Sequence, residues 1–273
     1  MPSPAETAAA KQSFVSGNPG RDVQRVGTAR FLGEDPAKIH EPVWAVVGNL
    51  GDSQCYVGVK RKVETIQVAL SRRIRERDLP VRLIPTAYTI GVSDGQLNGT
   101  DRMRFSLIGR EITNDSVDAH LTANEVKGLI AVVACDKPPV GTLAAVLEHD
   151  EPAVFLSDGS IRPGMDPETG ERIDLVTAFQ TAGDPDVARR THMALLACPG
   201  QGSCGGMFTY NTMQSFLAVL GMEPLHMVAP ASDEARRVEE FPAQLVDCLV
   251  AMTDKGICMP MAESTVPIRP MSW

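Results

Sequence analysis

Six cysteines are the residues of this chain with the greatest capacity for chemistry, and Cys204 has the most unusual surroundings among them. Two glycines follow it directly, and the segment Cys198-Pro-Gly-Gln-Gly-Ser-Cys204 leads into it. A glycine-rich turn ahead of a helix lets backbone N–H groups converge on a ligand. A thiol at this point can therefore serve as a nucleophile or as a metal ligand.

Cys55 and Cys135 have comparable positions, because an apolar run typical of a buried strand precedes each of them. The three runs ahead of these cysteines and Cys204 are residues 43–47, 129–134 and 194–197. Since the carboxyl ends of parallel strands meet at one edge of a sheet, we expect the three thiols to lie there. Three thiolates can bind an iron–sulfur cluster and leave one iron position open for a substrate.

Oxygen donors are expected beside these thiols. Asp94 follows another apolar run, residues 87–92, and Asp136 and Lys137 come directly after Cys135. Carboxylates are hard ligands that suit Mg²⁺, which thiolates bind poorly. The residues alone predict a mixed site of thiols and carboxylates, although each cysteine taken singly is also compatible with a buried core thiol.

Two other chemistries fit parts of the glycine-rich segment. Gly200, Gly202 and Gly205 have the spacing of a dinucleotide-binding turn. However, a cysteine interrupts the glycines, and the downstream acid, Glu223, follows a helical pattern rather than a strand. Cys204 between small residues also fits the nucleophile elbow of a cysteine hydrolase, which would require a histidine base. None of the five histidines has a recognisable orienting acid in a triad-like context.

The composition restricts the remaining functions. A net charge of −8 and a pI near 5.2 argue against nucleic acid as a partner. No apolar run approaches the roughly 20 residues of a membrane helix. The N-terminus has neither the basic start nor the apolar stretch of a signal peptide, so we expect a cytoplasmic protein without disulfide bonds.

Strand-like and helix-like patterns broadly alternate, which predicts an α/β fold: a layered sheet of mostly parallel strands flanked by helices, with the cofactor site at the carboxyl ends of the strands. Residues 57–77 have helical spacing, and we interpret their basic side chains, including Lys62, as a solvated face. Ser232 is expected to cap a helix over residues 232–255. The predicted organisation is a flexible tail (1–25), one domain (26–258) and a connector or tail (259–273).

Several segments resemble the N-terminal domain of the dihydroxy-acid dehydratase and phosphogluconate dehydratase family. They are Gly91-Val-Ser-Asp-Gly95, Arg102-Met-Arg-Phe-Ser-Leu107, Cys135-Asp-Lys137 and Ala197-Cys-Pro-Gly-Gln-Gly-Ser-Cys-Gly-Gly-Met-Phe-Thr-Tyr-Asn-Thr-Met213. The last segment is highly specific, and the form around Asp94 resembles the branch that acts on branched-chain dihydroxy acids.

The resemblance implies cofactors and a reaction. An iron–sulfur cluster, [2Fe–2S] in preference to [4Fe–4S], would be bound by Cys55, Cys135 and Cys204. Magnesium would be bound by Asp94, Asp136 and a carbamylated Lys137. The small-molecule substrate would be a 2,3-dihydroxy carboxylic acid. Loss of the proton beside its carboxylate and of its 3-hydroxyl as water would give a 2-keto acid.

The chain also departs from the family pattern. Gln54 and Tyr56 flank Cys55 where the family usually has proline and asparagine, and Val140 stands where it usually has proline. Family members are about twice as long, and their C-terminal domain supplies a further Mg²⁺ ligand and a serine proposed as the base. We therefore expect the catalytic base to lie outside this chain.

Three hypotheses follow. The chain is one subunit of a split dehydratase, completed by a second subunit with the C-terminal domain, or works as a homodimer as the family usually does. Alternatively, it is a non-catalytic, cluster-binding regulatory or interaction protein. In the third, it catalyses another reaction, for which the cysteine hydrolase is the less favoured candidate.

Overall fold

The computed structural model describes residues 18–257 and has a five-stranded parallel sheet at its centre. The strands are β1 (Val43–Leu50), β2 (Arg82–Leu83), β3 (Ala87–Ile90), β4 (Val126–Val133) and β5 (Ala153–Ser157). β1 pairs along one side with β2 and then β3, and along the other side with β4, which pairs with β5. The predicted α/β class with parallel strands is confirmed.

Ten α-helices and a small antiparallel hairpin surround the sheet in the described part of the chain. The helices are α1 (Pro19–Leu32), α2 (Val59–Glu76), α3 (Asp94–Leu97), α4 (Arg104–Asn124), α5 (Lys137–His149), α6 (Leu175–Gln180), α7 (Val187–Leu196), α8 (Thr209–Val219), α9 (Arg236–Glu239) and α10 (Phe241–Lys255). The hairpin consists of β6 (Gly164–Met165) and β7 (Arg172–Ile173). Short 3₁₀ turns occupy Pro36–Lys38, Asp101–Met103 and Leu225–Met227.

Two helical layers cover the two faces of the sheet. Helices α2 and α10 pack on one face, and α4, α5 and α8 pack on the other. Along β1, Val46 belongs to the first core, whereas its neighbours Ala45 and Val47 belong to the second. Because successive strand side chains point to opposite faces, a sheet covered on both sides requires apolar residues at nearly every position. Uninterrupted apolar runs at β1 and β4 are the result.

The helical spacing of apolar residues predicted the positions of the longer helices. The side chains of Val59, Val63, Ile66 and Leu70 are fully buried on one face of α2, as their three- and four-residue spacing predicts. Helix α10 ends at Gly256, whose left-handed φ of 64° lets its N–H reach the last carbonyls of the helix. Within residues 18–257, no helix is both long enough and apolar enough to cross a membrane.

The strand predicted at residues 194–197 is wrong. Residues 194–196 form the end of α7, and Ala197 follows as its extended C-cap residue. The helix begins after Asp186, whose carboxylate accepts hydrogen bonds from the N–H groups of Ala188 and Arg189. A four-residue apolar run fits a helix or a strand equally well, and the cap upstream decides between them. Cys204 therefore does not follow a strand. An isolated parallel bridge between Ser203 and Ser160 holds the chain just before it.

Two expectations about side chains are also wrong. Lys62 is fully buried, although its helix was expected to keep its basic residues in solvent. Ser232 caps no long helix: α9 and α10 are separate, and the Ser232 hydroxyl is buried against Lys62 and Asp158.

At the N-terminus, residues 19–25 of the expected tail form the first half of α1, whose Asn18 side chain accepts a hydrogen bond from the N–H of Arg21. Residues 1–17 of that tail and the expected connector at residues 259–273 lie outside the described residues.

Candidate active site

Three thiols meet at the carboxyl edge of the sheet. Cys55 lies in the loop between β1 and α2, Cys135 lies between β4 and α5, and Cys204 lies in the loop before α8. The Cys55 thiol lies near enough to both Cys135 and Cys204 to affect their ionisation and to have its own pKa shifted by them. Cys55 and Cys135 are buried, whereas Cys204 is partly exposed. The structure thus brings the three predicted cysteines together.

Hydrogen bonds join the three cysteine-bearing loops. The N–H of Cys135 donates to Ser203 Oγ at 2.9 Å, which connects the β4 loop to the residue before Cys204. The N–H of Gly202 donates to the carbonyl of Gln54 at 2.9 Å, which connects the same segment to the Cys55 loop. Cys135 itself has a left-handed φ of 61°, a conformation that costs a non-glycine residue energy and persists only when its surroundings hold it.

A lysine–carboxylate cluster lies directly beside the thiols. Lys137 Nζ donates to Asp136 Oδ2 at 2.6 Å and to Asp94 Oδ2 at 2.9 Å. The Cys135 thiol donates to Asp136 Oδ1 at 3.1 Å, so the cluster and the thiols are in contact. We call Asp94, Asp136 and Lys137 the Lys137 cluster. All six residues predicted for the site lie in one region.

The thiols differ in how readily they lose a proton. The pKa of Cys204 is lowered, chiefly because its thiolate accepts a hydrogen bond from Cys55. For Cys55, the hydrogen bond with Cys135 lowers the pKa, but the hydrogen bond and charge of Cys204, together with burial, raise it to about 11. The pKa of Cys135 is raised by its hydrogen bond with Cys55 and by burial. Because the thiolate is the nucleophilic and metal-binding form of cysteine, Cys204 is the thiol of the three whose pKa favours that form.

The charges of the Lys137 cluster favour a bound cation. Burial alone would lower the pKa of Lys137, but hydrogen bonds and charges from Asp136 and Asp94 raise it. Burial, together with the neighbouring Asp94, raises the pKa of Asp136. Two carboxylates thus share one ammonium group.

The fit of these donors to metals can be judged from their arrangement. Within residues 18–257, no group of three or more His, Cys, Asp or Glu side chains has the geometry of a preformed metal site. The donor chemistry nevertheless fits: three sulfurs suit iron, and two carboxylates suit Mg²⁺. Asp94 Oδ1 is buried and has no hydrogen-bond partner among the described residues, which leaves one oxygen available to a cation.

Two adjoining cavities open at the site. One, of about 510 Å³, is lined by Cys55, Cys198 and Cys204 together with residues of the Cys55 loop. The other, of about 280 Å³, contains the Asp94 and Asp136 carboxylates. The second cavity also has an apolar wall, formed by Met103, Leu175, Phe179 and Phe208. The thiol side and the carboxylate side can therefore contact one small ligand.

The structure gives little support to the two other chemistries. Among the described residues, no histidine lines either cavity, so Cys204 has no neighbouring base there. Glu223, the acid of the dinucleotide pattern, is buried and accepts hydrogen bonds from the N–H and hydroxyl of Ser157.

Sequence reasoning missed the polar residues that hold the cysteine loops in place. Ser203 and Gln54 are such residues, and so is Asn49, whose Oδ1 accepts from the N–H of Ala134. A buried polar residue in a strand, as Asn49 is, is the one signal that could have indicated a structural hydrogen bond.

Comparison with known proteins gives a family match over most of the chain. The family described as "Dihydroxy-acid/6-phosphogluconate dehydratase N-terminal" matches residues 56–262. A dihydroxy-acid dehydratase of Chloroflexus aurantiacus is 38% identical over 175 residues, which are 62% of this chain and 31% of that protein. One from Synechococcus sp. is 34% identical over 189 residues, 67% and 32% of the two chains. The matching part of this chain spans about a third of the length of these relatives.

Proposed function

Because the chain belongs to the dihydroxy-acid/6-phosphogluconate dehydratase family, whose N-terminal domain it matches, we propose that it forms the cofactor-binding part of a dehydratase. The substrate is a small 2,3-dihydroxy carboxylic acid and the product is a 2-keto acid. The convergence of three thiols with two carboxylates and a lysine at one sheet edge carries this proposal.

In this proposal Cys55, Cys135 and Cys204 bind an iron–sulfur cluster. Their convergence supports a shared ligand, and the lowered pKa of Cys204 supports its role as the first thiolate. Once bound, the cluster supplies a Lewis acid for the departing hydroxyl, since hydroxide is a poor leaving group. We assign [2Fe–2S] in preference to [4Fe–4S], following the family resemblance.

Asp94 and Asp136 bind Mg²⁺, joined by Lys137 after carbamylation. Carbamylation requires the neutral amine, whereas the two carboxylates stabilise the ammonium form of Lys137. A divalent cation on the carboxylates would remove that stabilisation and release the lysine for carbamylation. Magnesium binding and lysine modification are therefore coupled in this site.

The carboxylate cavity holds the substrate. Its apolar wall suits an aliphatic side chain better than a polyhydroxylated sugar chain, because a sugar hydroxyl against Met103 or Phe179 would lose its hydrogen bonds to water. This supports the branched-chain interpretation of the sequence around Asp94.

The catalytic base comes from outside this chain. A second subunit supplies it to the open side of the carboxylate cavity, or a second copy does so in a homodimer.

Activity measured with and without a complementing chain tests the proposal. The anaerobically reconstituted protein is incubated with Mg²⁺ and an aliphatic 2,3-dihydroxy acid, alone and with a polypeptide equivalent to the remaining two-thirds of its relatives. We expect 2-keto acid from the mixture, and none when Cys135→Ser replaces the wild type. A cluster-loaded chain that gives no product with any complementing chain would refute the dehydratase and favour the non-catalytic regulatory alternative.

A further inference from the structure

A second lysine–carboxylate group lies behind the cysteines and takes no part in the proposed chemistry. We call Lys62, Asp158 and Ser232 the Lys62 network. We propose that the Lys62 network positions the loop that carries Cys204, so that Lys62 and Asp158 are positioning residues for the thiol site. Only the iron measurement below rests on the proposed function.

The Lys62 network is closed and completely buried. Lys62 Nζ donates to Asp158 Oδ1 at 2.5 Å and to Ser232 Oγ at 2.9 Å. The Ser232 hydroxyl donates in turn to Asp158 Oδ2 at 2.8 Å. Both charged side chains are fully inaccessible to solvent. The three side chains come from α2, the end of β5 and the segment before α9, so the network fixes these elements relative to one another.

Asp158 connects the network to Cys204 through the backbone. The next residue, Gly159, accepts a hydrogen bond at its carbonyl from the N–H of Ser203 at 2.9 Å. The carbonyl of Ser203 accepts from the N–H of Ile161 at 2.7 Å. Ser203 is the residue before Cys204, and its hydroxyl also holds Cys135. A shift of Asp158 would therefore move two of the three thiols.

Ser232 makes a second connection to the same loop. Its carbonyl accepts from Gln201 Nε2 at 3.3 Å, and its N–H donates to the carbonyl of Ser160 at 2.9 Å. A Cβ atom at Gly202 would lie 2.8 Å from the Cβ of Ser232, and Gly202 has a φ of 130° that favours glycine. The Cys204 loop is thus packed directly on the network.

Lys62 makes the third connection, towards Cys55. A Cβ atom at Gly58 would lie 3.1 Å from Lys62 Nζ and 3.0 Å from the side-chain amide carbon of Gln201. The backbone after Cys55 therefore lies against both the ammonium group and the Cys204 loop. The loops of all three thiols are held by contacts that lead back to one ion pair.

Stability alone is a poor explanation for such a pair. Replacing a buried ion pair with well-packed neutral residues is often neutral or stabilising, because desolvation offsets the attraction between the charges. What the charged pair adds is a fixed geometry, since each hydrogen bond has a defined length and direction. That geometry is transmitted here to the cysteine loops.

The test uses the reduced, metal-free full chain. Two variants, Lys62→Met/Asp158→Asn and Ser232→Ala, are treated with a thiol-alkylating reagent, and Cys204 labelling is measured against Cys248 by peptide mass spectrometry. We expect the relative Cys204 rate to rise at least five-fold in the double variant and at least two-fold in Ser232→Ala. After anaerobic reconstitution, the double variant should hold less than half the wild-type iron per chain.

The matched control is Ser157→Ala, which removes another buried hydroxyl that bonds a carboxylate, that of Glu223, one residue before Asp158. It should leave Cys204 labelling unchanged. Variants that fold but keep wild-type labelling and iron overturn the proposal. If the double variant does not fold, Ser232→Ala alone decides through its labelling rate. A wild-type chain that binds no iron would refute the proposed function, while the labelling result would still decide this inference.

Discussion

Two lysine–carboxylate groups lie at the carboxyl end of the sheet, and they differ in how completely their charges are matched. In the Lys62 network, one lysine faces one aspartate, and both Asp158 oxygens accept hydrogen bonds. In the Lys137 cluster, one lysine faces two aspartates, and the Lys137 side chain is 18% exposed.

The difference shows how the same residue types can serve two purposes. A matched, fully buried pair has no capacity left for a ligand and can only fix geometry. A cluster with one surplus negative charge beside a cavity, and with Asp94 Oδ1 lacking a partner among residues 18–257, attracts a further cation. We interpret the first group as a brace and the second as a binding site.

The largest expected contrast is in stability. Lys62→Met leaves the Asp158 charge buried without its partner, which should lower the free energy of unfolding by about 3–5 kcal/mol. Lys137→Met should lower it by about 1 kcal/mol or less, because that site is closer to solvent. Urea denaturation of both variants measures the difference. Equal losses of unfolding free energy in Lys62→Met and Lys137→Met would contradict the assignment of the Lys62 network as a brace and the Lys137 cluster as a binding site.

Glu223 extends the comparison, because Ser157 rather than a lysine donates hydrogen bonds to this buried carboxylate. Burial raises the pKa of Glu223 from 4.5 to about 7. The folded chain then keeps a proton that the unfolded chain releases, so stability should fall by about 3 kcal/mol as the pH rises from about 4.5 to about 7. Urea denaturation across this range should show that loss in the wild type and lack it in Glu223→Gln.

The exposed Glu171→Gln variant is the control for this pH dependence, and its stability should follow that of the wild type at every pH. Parallel curves for the wild type and Glu223→Gln would show that Glu223 ionises at its ordinary pKa in the folded chain, which would contradict the raised pKa.

The smallest expected effect is stabilisation by Mg²⁺, which should bind the Lys137 cluster and not the Lys62 network. Mg²⁺ at ten times its dissociation constant should stabilise the wild type by about 1.4 kcal/mol. Asp94→Asn should abolish the increase in melting temperature, whereas Asp101→Asn, at an exposed position nearby, should retain it. A Mg²⁺ response that persists in Asp94→Asn would place the cation elsewhere.

Local patterns predicted the parts of the fold that local forces determine. Apolar runs gave β1 and β4, and helical spacing gave α2. The positions of Cys55 and Cys135 after strands then brought those thiols together. Cys204 lies at the same site for a different reason: hydrogen bonds of Ser203, rather than a preceding strand, hold its loop there.

Long-range partners are what the sequence did not reveal. A lysine on an amphipathic helix normally lies in solvent, and the partner that keeps Lys62 buried is Asp158, 96 residues further along the chain. Periodicity carries no information about such a pair, because neither residue departs from a common local pattern. The same holds for Ser232, which looked like a helix cap.

Binding of an iron–sulfur cluster by the three thiols can be measured directly, as iron and acid-labile sulfide per chain after anaerobic purification. We expect both in the wild type and in Cys248→Ser, a control at a partly exposed cysteine on α10. We expect their loss in a folded Cys204→Ser variant. A colourless, iron-free wild-type protein under these conditions would refute cluster binding by these thiols.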